Sequence, residues 1–187
     1  IQGGFMNSVR LVVPATILSV FLGALNGYAL SFWRSKWGDI LFGIMLLGAF
    51  VPFQVMIYPL VAWTRMGGFY NTYWAILMVH CIFGMPVLTL LFRNYYVAVP
   101  NELFKAARID GGGFWRIFFQ LMLPMATPML IVATILQVTG IWNDFLFGVV
   151  FAGTQNYPMT VQLNNIVNSA QGTPEYNVNM AATVLTG

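Results

Sequence analysis

LVVPATILSVFLGALNGYALSFW, residues 11–33, runs for 23 residues without a charged side chain. A bilayer-spanning helix needs roughly 20 such residues, so this stretch alone selects a membrane fold. Working outward, residues 40–63, 72–92 and 121–152 are also long and apolar enough to span. The last is longer than one crossing needs, so its ends are expected to tilt or leave the hydrocarbon. A further apolar run starts at Val178 and reaches Gly187. Backbone polar groups in lipid must be satisfied within the segment, and the period-2 alternation of a barrel is absent. The expected fold is therefore an all-α, polytopic transmembrane bundle, with about four full spans plus the start of a further one. Prolines 14, 52, 59, 86, 124 and 128 lie in or beside the spans as tolerated kinks.

The composition agrees: 59% hydrophobic, 7% charged, mean hydropathy +0.76, against roughly 25% charged residues in soluble chains. The net charge of +3 comes from only eight Lys and Arg, so no nucleic-acid partner is expected. One cysteine, Cys81, excludes an intrachain disulfide, and one histidine, His80, excludes His-pair zinc chemistry. Lys36 follows Ser35 and Lys105 follows Phe104, so the Gly-Lys pair of a phosphate-binding loop is absent. Gly111-Gly112-Gly113 reads instead as a helix terminator. The start at Ile1 and the end inside an apolar run suggest a piece of a longer chain.

Orientation follows from the basic residues. With the loop after the first span inside, Arg34, Lys36, Arg93, Lys105, Arg108 and Arg116 are cytoplasmic, and only Arg10 and Arg65 are outside. Segment 93–120 is then cytoplasmic and the amide-rich stretch 153–177 is an external loop.

The cytoplasmic segment is the most informative. In Pro100-Asn101-Glu102-Leu103-Phe104-Lys105-Ala106-Ala107-Arg108-Ile109-Asp110-Gly111, Asn101 is a good N-cap and Glu102 suits the first turn. Gly111 is suited to the C′ position, where positive φ is needed. Leu103 and Ala107 put an apolar stripe on one face. Too short to be stable alone, this helix must pack on something, and an amphipathic helix lying on the bilayer would satisfy the same pattern.

Lys105-Ala106-Ala107, Gly111 and, after nine residues, Leu121-Met122-Leu123-Pro124 resemble the cytoplasmic signature of ATP-binding-cassette importer permeases: Glu-Ala-Ala, three residues, Gly, nine residues, Ile, any residue, Leu-Pro. Lys105 stands for the Glu, and Leu121 for the Ile. Pro100, Glu102, Leu103, Ile109 and Asp110 match the wider form of the carbohydrate (maltose/glucose-type) branch. Trp142-Asn143-Asp144-Phe145 and Asn7-Ser8 are similar to that branch as well.

The resemblance implies a type I importer permease in a bacterial or archaeal cell membrane, with about six helices in the whole subunit. It implies a sugar importer in which the short helix docks on an ATPase through Glu102, Leu103, Ala106, Ala107, Asp110 and Gly111. The expected partners are two ATPase subunits, which carry the ATP and Mg, a second permease subunit, and an extracytoplasmic sugar-binding protein. This chain would hold no cofactor or metal and catalyse no reaction. Asn156, Tyr157, Gln171 and Tyr176 in the external loop would face the binding protein.

Asp144 is the one acid well within a span, which makes it a functional candidate. With Trp142, Asn143 and Gln137 it offers a substrate path, while a polar lock between helices is the other reading of such residues. Asp144 also leaves open an ion-coupled secondary transporter, for which segment 93–120 would have no reason to carry the docking signature.

Overall fold

Prolines and the groups that compensate for them shape this all-α chain. The computed structural model describes residues 2–32, 36–169 and 180. Among the described residues two helices are individually long and apolar enough to cross a membrane: α1, Gln2–Phe32, and α4, Tyr73–Val97. They contain the expected spans 11–33 and 72–92, except that Trp33 lies outside the described residues and Thr72 caps α4 rather than entering it. The Thr72 hydroxyl accepts the Ala75 N–H at 3.3 Å, as an N-cap does.

The other two spans are interrupted. Residues 40–63 form α2, Lys36–Phe50, and α3, Phe53–Met66. The break falls at Val51-Pro52, where proline biases its predecessor away from the helical region. Residues 121–152 are not one helix either. α6, Phe114–Ile117, passes through a π turn, Phe118–Met122, into α7, Leu123–Met125. α8, Thr127–Trp142, then leaves at 78° to the Phe114–Met125 segment. α9, Leu146–Phe151, is separate again. Prolines account for the corner. Pro124 and Pro128 cannot donate to the carbonyls four residues earlier. The π turn precedes the first, and the Thr127 hydroxyl serves the second by donating to Pro124 O at 2.7 Å. Between α4 and this corner lies α5, Asn101–Ile109.

A 3-10 turn, Thr154–Asn156, and α10, Met159–Ser169, follow α9. Stretch 153–177, expected as an external loop, is therefore largely helical in its described part. Its amide-rich sequence hides an apolar i, i+4, i+7 series, Met159, Leu163 and Ile166, of which the first two are buried. The expected further span from Val178 lies outside the described residues except for Met180.

The chain divides into two compact units, residues 1–16, 54–80 and 138–187, and residues 17–53 and 81–137. α1, α4 and α8 each run from one into the other. In the second unit, α1 and α4 approach closely: a Cβ on Gly23 would meet Leu88 Cβ at 2.6 Å, and one on Gly27 would meet Phe92 Cβ at 2.7 Å. Gly43 and Gly48 on α2 have nothing within 4 Å and do not share this role. The core is aromatic, with Tyr28, Phe92, Tyr96 and Phe118 fully buried. Tyr28 meets Phe114 at 4.9 Å and Phe118 at 5.4 Å, centroid to centroid.

In the first unit, the Tyr73 hydroxyl donates to Arg10 O at 2.9 Å. That carbonyl is the one Pro14 leaves without a helical donor. The start of α1 is fastened to the start of α10. Ser8 Oγ accepts the Met159 N–H at 2.9 Å, and Asn7 Nδ2 donates to Gln155 O and Tyr157 O at 3.1 and 3.2 Å. Gly4 permits the approach, since a Cβ there would lie 3.1 Å from Met159 Cα.

Candidate functional site

α5 starts one residue earlier than its sequence suggests. Asn101 is its first helical residue, Pro100 holds the cap position, and no side chain caps it. Proline fits there because the first amides of a helix have no intrahelical acceptor and its φ is already suitable. At the other end the expectation for Gly111 holds, with φ at +76°. Its N–H donates to Arg108 O at 3.1 Å, and the Gly112 N–H donates to Ala107 O at 2.9 Å. These are the paired bonds of a Schellman motif. Gly112 is required by space as well, because a Cβ there would run into the Ala107 carbonyl and come within 2.8 Å of Ile117 Cγ1.

Phe104 secures the helix, stacking on Phe32 at 4.5 Å between centroids and meeting Tyr28 edge-on at 6.5 Å. Phe104 and Ala107, not Leu103, therefore make its inward stripe. At 100° per residue, Glu102, Leu103, Ala106, Ile109 and Asp110 share an outward arc of roughly 120°, and all five are exposed. Of the residues expected to dock, Glu102, Leu103, Ala106 and Asp110 thus lie together, while Gly111 falls outside the arc, in the cap. Ala107 sits at the border of the arc and packs inward. Ile109, 85% exposed, lies within the arc as well, as a helical projection centred on Ala106 places it.

The second set of candidates divides between the two units. Gln137 is buried in its unit, where its Nε2 donates to Ser19 Oγ at 3.2 Å, a helix-to-helix bond from α8 to α1. Trp142, Asn143 and Asp144 belong to the other unit, at the end of α8 and the break after it. Trp142 packs edge-on against Phe5 at 5.8 Å and against the Met159–Leu163 cluster. Asn143 is exposed. Asp144 caps α9: its carboxylate accepts the Phe147 N–H at 3.3 Å and the Gly148 N–H at 3.0 Å. Its own carbonyl accepts the Thr160 hydroxyl at 2.7 Å, joining the break to α10. His80 Nε2 lies 3.7 Å from Asp144 Oδ2, and the His80 ring meets Phe147 edge-on at 5.5 Å. The acid that looks costly in a span is thus the device that restarts a broken helix.

Asn156 and Tyr157 lie at the turn before α10. Asn156 Nδ2 donates to Ala152 O at 3.1 Å, and Tyr157 O accepts from Asn7. Asn156 borders two clefts of this unit. One, of about 320 Å³, is lined by Asn7, Arg10, Tyr73 and Ile76; the other, of about 380 Å³, by Asn71, Gln155 and Tyr157. Gly153, at φ +69°, has no room for a Cβ against the Asn71 backbone. Gln171 and Tyr176 lie outside the described residues.

Residues 15–187 match the family described as binding-protein-dependent transport system inner membrane component. A probable ABC transporter permease of Pyrococcus horikoshii is 37% identical over 81% of this chain and 55% of its own length. The xylose/arabinose import permease of Haloferax volcanii is 31% identical over 99% of this chain and 66% of its own. The diacetylchitobiose uptake system permease of Streptomyces coelicolor is 32% identical over 97% and 61%. The chain thus spans about half to two thirds of the length of these relatives. The fold is that of a bacterial ABC transporter involved in the import of the acidic polysaccharide alginate: TM-score 0.78 over 100% of this chain and 64% of the other, at 22% identity. The chain therefore belongs to the family of binding-protein-dependent transport system inner membrane components.

Proposed function

We propose that this chain is part of the membrane-spanning permease subunit of an ATP-driven sugar importer in a bacterial or archaeal cell membrane. One observation carries the reading: α5 is locked to its own unit by Phe104 and the Gly111/Gly112 cap, yet presents Leu103, Ala106 and Ile109 outward. A two-and-a-half-turn helix fastened on one side and presenting an apolar stripe between two acids, Glu102 and Asp110, on the other is a lever awaiting a partner. That partner is a pair of cytoplasmic ATPases, which hold the ATP and Mg. A second permease subunit completes the path, and an extracytoplasmic binding protein delivers the sugar. ATP binding favours one of two states of the permease pair, and closure of the ATPases moves α5 and the helices joined to it. The sugar class rests on relatives named for xylose/arabinose and diacetylchitobiose. An ion-coupled carrier would need Asp144 in an exchangeable role, and its carboxylate is engaged by the Phe147 and Gly148 amides.

The test is co-purification of the tagged full-length subunit from mild detergent, wild type against Ala106→Trp. Ala106 is exposed, so the bulky ring blocks docking without disturbing the core. An ATPase recovered with the wild type and lost with the variant is expected. A subunit that transports sugar with no ATPase attached overturns the proposal.

A further inference from the structure

The Phe114–Met125 segment meets α8 at 78°, and its contacts fix where it lies. Phe114 O accepts the Tyr28 hydroxyl at 3.2 Å, and Met125 O accepts the Tyr95 hydroxyl at 2.6 Å, while further up α1 Ser19 accepts from Gln137 of α8. With α8 taken as a crossing helix, the segment runs nearly in the plane of the bilayer, about one to three turns in from the Phe32 end of α1. On one face Trp115 is 55% and Phe119 49% exposed. They form a stacked run with Phe21: Trp115–Phe119 at 6.1 Å and Phe21–Phe119 at 6.2 Å, with interplanar angles of 21° and 20°. Arg116 is on the next face. Its Nε donates to Gln120 Oε1 at 3.1 Å, which holds the guanidinium beside a cavity of about 180 Å³ lined also by Asp110, Gly112 and Leu121.

We propose that this segment is an interfacial anchor: Trp115 and Phe119 lie among the upper acyl chains of the cytoplasmic leaflet, and the Nη groups of Arg116 bind the phosphate of an anionic phospholipid. Aromatic side chains with a polar or cationic neighbour concentrate at that depth, and arginine presents a planar donor pair suited to a phosphate. The anchor begins right after the Gly112/Gly113 corner, so it gives α5 a fixed point against which to move. The inference rests on the permease reading for the side of the membrane, and it predicts a ligand that reading does not require.

The test uses the full-length subunit purified with its partners and reconstituted in nanodiscs of phosphatidylcholine with or without phosphatidylglycerol. Phosphatidylcholine brominated near the carbonyl end should quench a fluorescence component that Trp115→Phe removes. Arg116→Gln should weaken retention of phosphatidylglycerol, read by native mass spectrometry, roughly fivefold, and inorganic phosphate should not displace the lipid. Absence of Trp115 quenching, or unchanged retention in the Arg116 variant, overturns the anchor. So does loss of the ATPase from the Arg116 variant with lipid retention intact, which would assign the face to a protein. The Ala106→Trp variant, which tests the docking reading, should leave both lipid signals unchanged.

Discussion

The Gly112 N–H donates to the carbonyl of Ala107 at 2.9 Å, and this bond turns the chain out of α5 toward the membrane. It needs both glycines. Gly112→Ala puts a Cβ against the Ala107 carbonyl and 2.8 Å from Ile117 Cγ1, so something must shift. A loss of about 1–3 kcal/mol is expected, read as a lower melting temperature in detergent. Gly111→Ala should cost about 1 kcal/mol through its positive φ, and Gly111→Asn less.

Asp144 separates capping from transport chemistry. Asp144→Ala should destabilise the protein by about 0.5–2 kcal/mol, whereas Asp144→Asn keeps an acceptor for the α9 amides and most of that stability. Thermal denaturation of both variants beside sugar uptake in proteoliposomes distinguishes the roles. Normal uptake with Asp144→Asn is the outcome expected of a cap; abolished uptake at unchanged stability would restore Asp144 to the substrate path.

Tyr73 and Pro14 form a compensating pair. Tyr73→Phe removes the donor to Arg10 O and should cost about 1 kcal/mol. In a Pro14→Ala background the residue-14 amide can serve that carbonyl, so the same change should cost markedly less. A double-mutant cycle on thermal stability measures the difference, and equal costs in both backgrounds would refute the compensation.

Ser8→Ala leaves the Met159 N–H without its acceptor and should loosen the first turn of α10. Hydrogen exchange of the 159–162 amides is expected to quicken, with exchange in α5 unaffected. Unchanged exchange in α10 would mean that the hydroxyl contributes nothing to its start.

Much of this was legible in the residues. Uncharged length marked 11–33 and 72–92 as spans, and Gly111 announced the end of α5 because it opens a run of three glycines after the helix formers Lys105 to Arg108. What escaped were features set by tertiary context. Pro52 and Pro14 look alike in sequence; one separates two helices and the other stays within a helix, where Tyr73 supplies a donor to Arg10 O from 63 positions along the chain. The capping role of Asp144 was not legible because the break after α8 has no strong sequence marker. The helix in 159–169 was hidden by its amides, and its apolar series emerges only against Trp142 and Ser8. In the docking segment most of the motif residues fall on the exposed face of α5, but its inward side belongs to Phe104 rather than Leu103, because Phe104 meets Phe32.

The Ser8–Met159 bond has a consequence for how the protein is made. The two residues are 151 positions apart, and at roughly 5–20 residues per second a ribosome takes about 8–30 s to cover that distance. Throughout that time Asn7 and Ser8 are without the partners at 155, 157 and 159 that hold them in the folded chain. Closure of this clasp is then a late step in assembly, made only after the segments between have been delivered to the membrane. A nascent chain arrested before residue 159 should therefore integrate α1 and still be open to protease attack around Asn7 and Ser8.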